Sequence, residues 1–167
     1  MKKLFSLCLM CLLAVSAMAQ DQNVNVVVIG GGSSSSSGDY VDLGLPSGTL
    51  WKSKNEKGMY YTYDEAVSQF GDKLPTPEQF AELKTFCTWT WNGHGYVVKG
   101  DNGNSIVLQA TGFRYCSGSV YGVGTDGGFW SSAPIDSDYA WYFRFDSSAV
   151  NMYGRIRCYG QSVRLVQ

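Results

Sequence analysis

Ala140-Trp141-Tyr142-Phe143-Arg144-Phe145-Asp146 alternates large apolar with polar side chains. A period of two marks a strand with one buried and one wet face. Trp141, Phe143 and Phe145 are therefore expected in the core, with Tyr142, Arg144 and Asp146 pointing outward. Around this stretch the chain keeps the same character. Gly112-Phe113-Arg114-Tyr115, Gly128-Phe129-Trp130-Ser131-Ser132 and residues 162–166 read as further short strands between glycine-rich turns. Residues 96–99 and 105–108 flank Gly100-Asp101-Asn102-Gly103-Asn104, a hairpin signal.

Upstream the pattern changes to helical. Thr62-Tyr63-Asp64-Glu65 is a capping box ahead of Ala66, Val67 and Phe70, with Gly71 to close the helix. Thr76-Pro77-Glu78-Gln79 is a second box with proline at the first helical position. Phe80, Leu83 and Cys87 follow on one face at helical spacing. Two short helices and then many short strands predict an α+β domain over residues 39–167.

The region ahead of that domain is of another kind. Lys2 and Lys3, the apolar run 4–15 and Ala17-Met18-Ala19 read as an export signal over residues 1–19, with the mature chain starting at Gln20. The run is too short for a membrane span, which takes about 20 apolar residues. Localisation is thus expected to be exported: periplasm, cell surface or extracellular. In the segment 20–38, residues 24–29 (Val-Asn-Val-Val-Val-Ile) are β-prone and Gly30 to Gly38 form a glycine/serine linker. The β-prone stretch is expected to pair with its own domain, to stay disordered, or to add to the sheet edge of a surface or pilus partner.

Losing Lys2 and Lys3 moves the formal charge from −1 to −3, so neither nucleic acid nor an anionic membrane is expected as partner. Cys87, Cys116 and Cys158 remain after the signal, enough for one bridge of undecided pairing. One histidine and no CxxC leave a metal site without support, and no cofactor is expected.

Several motifs together carry a resemblance. Tyr40-Val41-Asp42-Leu43-Gly44-Leu45-Pro46-Ser47-Gly48-Thr49-Leu50-Trp51 resembles the opening of the Fibrobacter succinogenes major paralogous domain, common in exported proteins of gut Bacteroidetes. Leu74-Pro75-Thr76-Pro77-Glu78, Cys87-Thr88-Trp89-Thr90-Trp91, Asn102-Gly103-Asn104-Ser105-Ile106, Phe129-Trp130-Ser131-Ser132 and Gly160-Gln161-Ser162-Val163-Arg164 follow in the family's order. That family is similar to the formylglycine-generating-enzyme branch of the C-type lectin-like fold. The resemblance implies a C-type lectin-like fold with two short helices and several short, mainly antiparallel strands. The chain departs from it between Lys52 and Tyr61, where members usually carry a longer stretch.

Catalysis finds little support. The enzymes of that branch use a close pair of cysteines, whereas Cys116 and Cys158 stand far apart in sequence. His94 lies in the turn-like Asn92-Gly93-His94-Gly95, and pairing it with Cys116 rests on no motif. The calcium motifs of true C-type lectins are absent, and Asp101, Asn102 and Asn104 read better as a turn. The expectation is a non-enzyme.

The functional signal is compositional. Between Gln109 and Gln161 there is no Lys, Glu or Gln, and Tyr, Ser, Gly, Asp and Arg dominate. Antibody binding loops share this palette: rigid aromatic area, forked donors and adaptable small residues. From Ala133 to Gly160 every residue except Trp141 and Met152 is reachable by randomising both adenines of an AAC codon. Diversity-generating retroelements produce such variable proteins; the same bias also follows from a tyrosine- and glycine-rich family. Either way a C-terminal ligand-binding face is expected, made of Asp136, Asp138, Tyr139, Tyr142, Arg144, Asn151, Tyr153, Arg155, Ile156 and Tyr159. The function expected is an adhesin- or receptor-like module for a protein or glycan ligand. The alternative is a structural subunit of an extracellular fibre or surface assembly docking through residues 24–29.

Overall fold

The computed structural model describes residues 39–167. The expected signal at 1–19, the β-prone stretch 24–29 and the linker lie outside the described residues. The order of elements is β1 (Tyr40–Asp42), β2 (Leu50–Lys52), α1 (Tyr63–Phe70), α2 (Pro77–Phe86), β3 (Cys87–Trp91), β4 (Gly95–Gly100) and β5 (Ser105–Gln109). Then come β6 (Thr111–Arg114), β7 (Val120–Val123), β8 (Asp126–Pro134), β9 (Tyr139–Asp146) and β10 (Val150–Ile156). This is an α+β arrangement with antiparallel sheets: β1–β2, β3–β4–β5, β6–β7 and β8–β9–β10.

Both helices start as their sequences dictate. Thr62 Oγ1 accepts from the Glu65 N–H at 3.3 Å and Glu65 Oε2 accepts from the Thr62 N–H at 2.8 Å. Thr76 and Gln79 repeat the exchange at 3.2 and 2.9 Å, with Pro77 in the first turn. Such caps stabilise by roughly 1 kcal/mol each. Gly71, at φ 50°, ends α1. Cys87 is not a third member of the α2 face. It has left the helix for extended backbone and opens β3.

Two hydrophobic clusters sit on opposite faces of the β8–β9 pair. The first joins Phe80 and Leu83 of α2 to Val98, Ile106, Leu108, Phe129, Phe143, Phe145 and Trp51. Phe80 stacks on Phe143 with centroids 4.6 Å apart and rests against Trp51 at 5.3 Å. The second joins Tyr63 and Ala66 of α1 to Trp130, Ala140, Tyr142, Val163 and Leu165. Trp130 donates its indole N–H to the Tyr61 carbonyl at 2.8 Å.

This double cover corrects the alternation read from β9. Phe143 and Phe145 are buried, but Trp141 is 38% exposed and Tyr142 only 4%. Period-two logic assumes one buried face. Here Phe143 and Phe145 face the first cluster, while Ala140 and Tyr142 face the second. Trp141 stands on the Phe143 side, paired with Gly154 of β10, which has no side chain to cover it. The β8 strand is irregular opposite this stretch. Between the pairs Trp130–Tyr142 and Pro134–Ala140, β8 advances four residues while β9 advances two.

Residues 162–166 do not form a regular strand. They belong to a buried stitch that touches every part of the domain in turn. Gly160 bridges Arg114, Gln161 bridges Tyr61, Ser162 bridges Phe129 and Val166 bridges Trp51. Arg164 anchors it, donating to Asn55 Oδ1, the Lys52 carbonyl and the Val107 carbonyl at 3.0, 2.7 and 2.6 Å. Burial pulls this guanidinium down to about 10. Trp89 and Trp91 are half-buried against the first cluster.

Candidate functional site: a tyrosine-walled groove

The β6–β7 hairpin turns through Tyr115–Ser119, whose ends are joined by the Tyr115 N–H donating to the Ser119 carbonyl at 2.8 Å. Its side chains face the outward side of β9 and β10. Between them lies an open groove of about 590 Å³, lined by Phe113, Tyr115, Tyr121, Asp126, Tyr142, Arg144, Tyr153 and Arg155, with Gly122 and Gly154. A volume of this size falls in the usual range for small-ligand sites.

The walls are tied covalently and by stacking. Cys116 in the hairpin turn is disulfide-bonded to Cys158 just beyond β10, across 42 residues of sequence. Cys116 is thus spent in a bridge and does not stand as a thiol beside His94, which is exposed in its turn. Among the described residues Cys87 is the free cysteine, and burial pushes its thiol up to about 11. Around the bridge, Tyr115 packs on Tyr121 at 4.9 Å, on Tyr159 at 5.1 Å and on Phe113 at 5.3 Å.

Register places the other wall. Tyr153 pairs with Tyr142 and Asn151 with Arg144, so their side chains share one face of the β9–β10 ribbon with Arg155. Tyr142 forms the base: its ring lies 6.1 Å from Trp130 below and 6.4 Å from Tyr153. Burial raises its hydroxyl above the ordinary phenol range, while the neighbouring Arg155 and Arg144 pull the other way. Arg144 donates to Asp126 at 2.6 Å and lies 3.3 Å from Asp146; the hydrogen bond to Asp126 raises the guanidinium further. Arg155 is held differently, its guanidinium carbon 4.4 Å from the Tyr159 ring centroid, 5.0 Å from Phe113 and 5.5 Å from Tyr142.

Of the ten residues expected on the face, Tyr142, Arg144, Tyr153 and Arg155 line the groove, and Tyr159 packs behind Arg155 and Tyr115. Tyr142 does so as a buried base residue, not as the outward side chain expected. The other five are placed elsewhere. Asn151 lies farther along the same strand face, accepting from Lys84 at 2.8 Å. Asp136 closes its own turn, accepting from the Asp138 and Tyr139 N–H groups at 2.8 and 2.7 Å. Tyr139 and Ile156 pair on the opposite face of the ribbon, the Trp141 side. Asp138 sits in the exposed turn, its carbonyl accepting from the Arg157 N–H.

Phe113, Tyr115, Tyr121 and Asp126 were not anticipated. A signal for the first three was present, because the stretch free of Lys, Glu and Gln begins at Ala110 and includes the whole hairpin. Among the described residues no group of three or more His, Cys, Asp or Glu side chains is placed to hold a metal ion. Nor is any described helix long and apolar enough to cross a membrane.

Neither a curated protein nor a solved structure matches the chain. Residues 98–166 are similar to a domain of unknown function, DUF8237. That span runs from β4 through the C-terminal stitch and contains every residue lining the groove.

Proposed function

We propose that this chain is an exported, adhesin- or receptor-like ligand-binding module of C-type lectin-like fold, related to the Fibrobacter succinogenes major paralogous domain. The groove is its binding face. The observation that carries the proposal is the coincidence of a concave tyrosine- and arginine-lined groove with the stretch free of Lys, Glu and Gln. Tyrosine and arginine are the types enriched at binding hot spots, and few long flexible chains need ordering on contact. The groove's charged groups are Asp126, Arg144 and Arg155, with Arg144 paired to Asp126.

On this reading Tyr121 and Tyr153, both well exposed, make contact without supporting the fold. The test is a Tyr121→Ser/Tyr153→Ser chain, screened beside the parent against glycan and protein arrays. The expected result is an unchanged melting curve and loss of whatever the parent retains. Retained binding, or loss of the fold, refutes the groove as the face. Sequencing the gene in many isolates of one strain tests diversification separately. Substitutions concentrated between Ala133 and Tyr159, beside a template copy, support it; a segment as constant as residues 40–51 removes it.

A further inference from the structure

Arg155 differs from the other charged groups of the groove. The Arg144 charge is answered by Asp126 and Asp146. Asp126 also accepts, through its second oxygen, from the Thr125 hydroxyl at 3.0 Å. Among the described residues Arg155 takes part in no ion pair, and its Nε is buried without an acceptor. The side chain is half-buried with its inner nitrogen enclosed by Phe113, Tyr142 and Tyr159, so the part left open is the amino end facing the groove. Two guanidinium groups line the cavity, and the nearby carboxylates, Asp126 and Asp146, are both drawn to Arg144, so Arg155 is the guanidinium without a carboxylate of its own.

Resting on the groove as binding site, we infer that its ligand is an acidic glycan, whose carboxylate is taken by the Arg155 fork while its sugar rings lie against Tyr115, Tyr121 and Tyr153. The ring cage fixes the guanidinium plane before binding, which lowers the ordering cost of a forked contact. A carboxylate is the planar partner that fork matches, and a site with few competing acceptors makes the contact strong. The tyrosines offer flat apolar faces for the C–H faces of a pyranose, and hydroxyl edges for its hydroxyl groups. A protein partner fits less well, since a stable protein interface takes about 800 Å² from each side, whereas this open, ring-lined surface is confined to the ten residues of the groove.

The experiment applies the chain beginning at Gln20 to an array on which uronic- and sialic-acid oligosaccharides stand beside their carboxyl-reduced counterparts, with a glutamate-rich peptide alongside. Titration calorimetry follows on the best acidic glycan. The expected result is at least tenfold preference for the acid over its reduced form, weakening as salt rises. Arg155→Met, which keeps the packed stem, loses roughly ten- to a hundredfold in affinity. Arg155→Lys keeps the charge without the fork and falls between. No acidic glycan bound, equal binding of the reduced form, an unchanged Arg155→Met affinity, or tighter binding of the peptide overturns the inference. A neutral glycan that is lost in Tyr121→Ser/Tyr153→Ser but indifferent to Arg155→Met overturns the carboxylate while leaving the groove in place.

Discussion

Replacing Cys116 and Cys158 together with serine releases the β6–β7 hairpin from the end of β10. The bridge spans 42 residues, and in the chain-entropy treatment closing such a loop destabilises the unfolded state by about 4 kcal/mol. For a domain of about 130 residues that is on the order of 15 °C in Tm. The loss is not uniform over the molecule. Tyr115, Tyr121 and Phe113 pack on one another and on Tyr159, but Val120, Tyr121 and Val123 are exposed, so the hairpin has little core of its own. Guanidinium melts of parent and variant give the stability change if their slopes agree. Amide exchange locates it: protection at β6 and β7 should fall further than at β4 and β5, whose Val98, Ile106 and Leu108 are buried. In a parent chain beginning at Gln20, a non-reducing thiol assay should find one slow thiol, Cys87. A destabilisation under about 1 kcal/mol, or exchange that rises equally in both hairpins, would refute the argument that the bridge holds this wall.

Two further perturbations follow from the packing. Trp141→Ser should cost less than Tyr142→Ala, for which a loss of about 3–5 kcal/mol is expected; chemical melts of the two separate the observed burial from simple alternation. On the alkaline side, burial raises the hydroxyls of Tyr60, Tyr63, Tyr96 and Tyr142, so each contributes stability present below the ordinary phenol pKa near 10 and lost as pH rises through its higher folded value. The Cys87 thiol acts in the same direction and Arg164, lowered to about 10, in the opposite one. Tyrosinate absorbance should thus rise in two stages, the later one together with unfolding; a single unperturbed titration would contradict the burial.

What could be read in the sequence was what is local. Thr62–Glu65 and Thr76–Gln79 close their boxes within three residues, and in the Asn102–Asn104 turn the Asn104 N–H donates to Asn102 Oδ1 two residues back. β3 carried a period of two in Thr88-Trp89-Thr90-Trp91, but it follows α2 without a turn, so Cys87 could be counted to either. β10 carried no period at all. It is an edge strand whose pairing with β9 sets the register, and its two faces meet the groove on one side and the first core's margin on the other. The misassigned pair, Trp141 and Tyr142, failed for a related reason: which face is inside depends on where two helices, distant in sequence, come to rest. Half of the groove was hidden likewise. Asp126 reaches Arg144 through the β8–β9 pairing, while the β6–β7 hairpin is held against β10 where the stitch pins Arg114 to Gly160 and the bridge pins Cys116 to Cys158.

If the face is diversified, the structure divides the variable stretch unequally. Tyr153 is exposed, and Arg155 spends its stem on rings that other residues also fill, so both positions accept change at little cost to the fold. Tyr142 does not, because the same ring that closes the base of the groove also packs on Trp130 in the second cluster. Gly160 is equally constrained: a Cβ there would come within 2.8 Å of Tyr60 Cβ and 2.9 Å of Arg114 Nε. Arg157, paired with Asp64 and lying 4.9 Å over the Tyr63 ring, holds the loop to α1. Isolates should therefore vary at Tyr153 and Arg155 while keeping an aromatic at 142, glycine at 160 and arginine at 157. Random change at 142 as frequent as at 153, in proteins that still fold, would mean that the base of the groove is not part of the core and that scaffold and face are not separated as proposed.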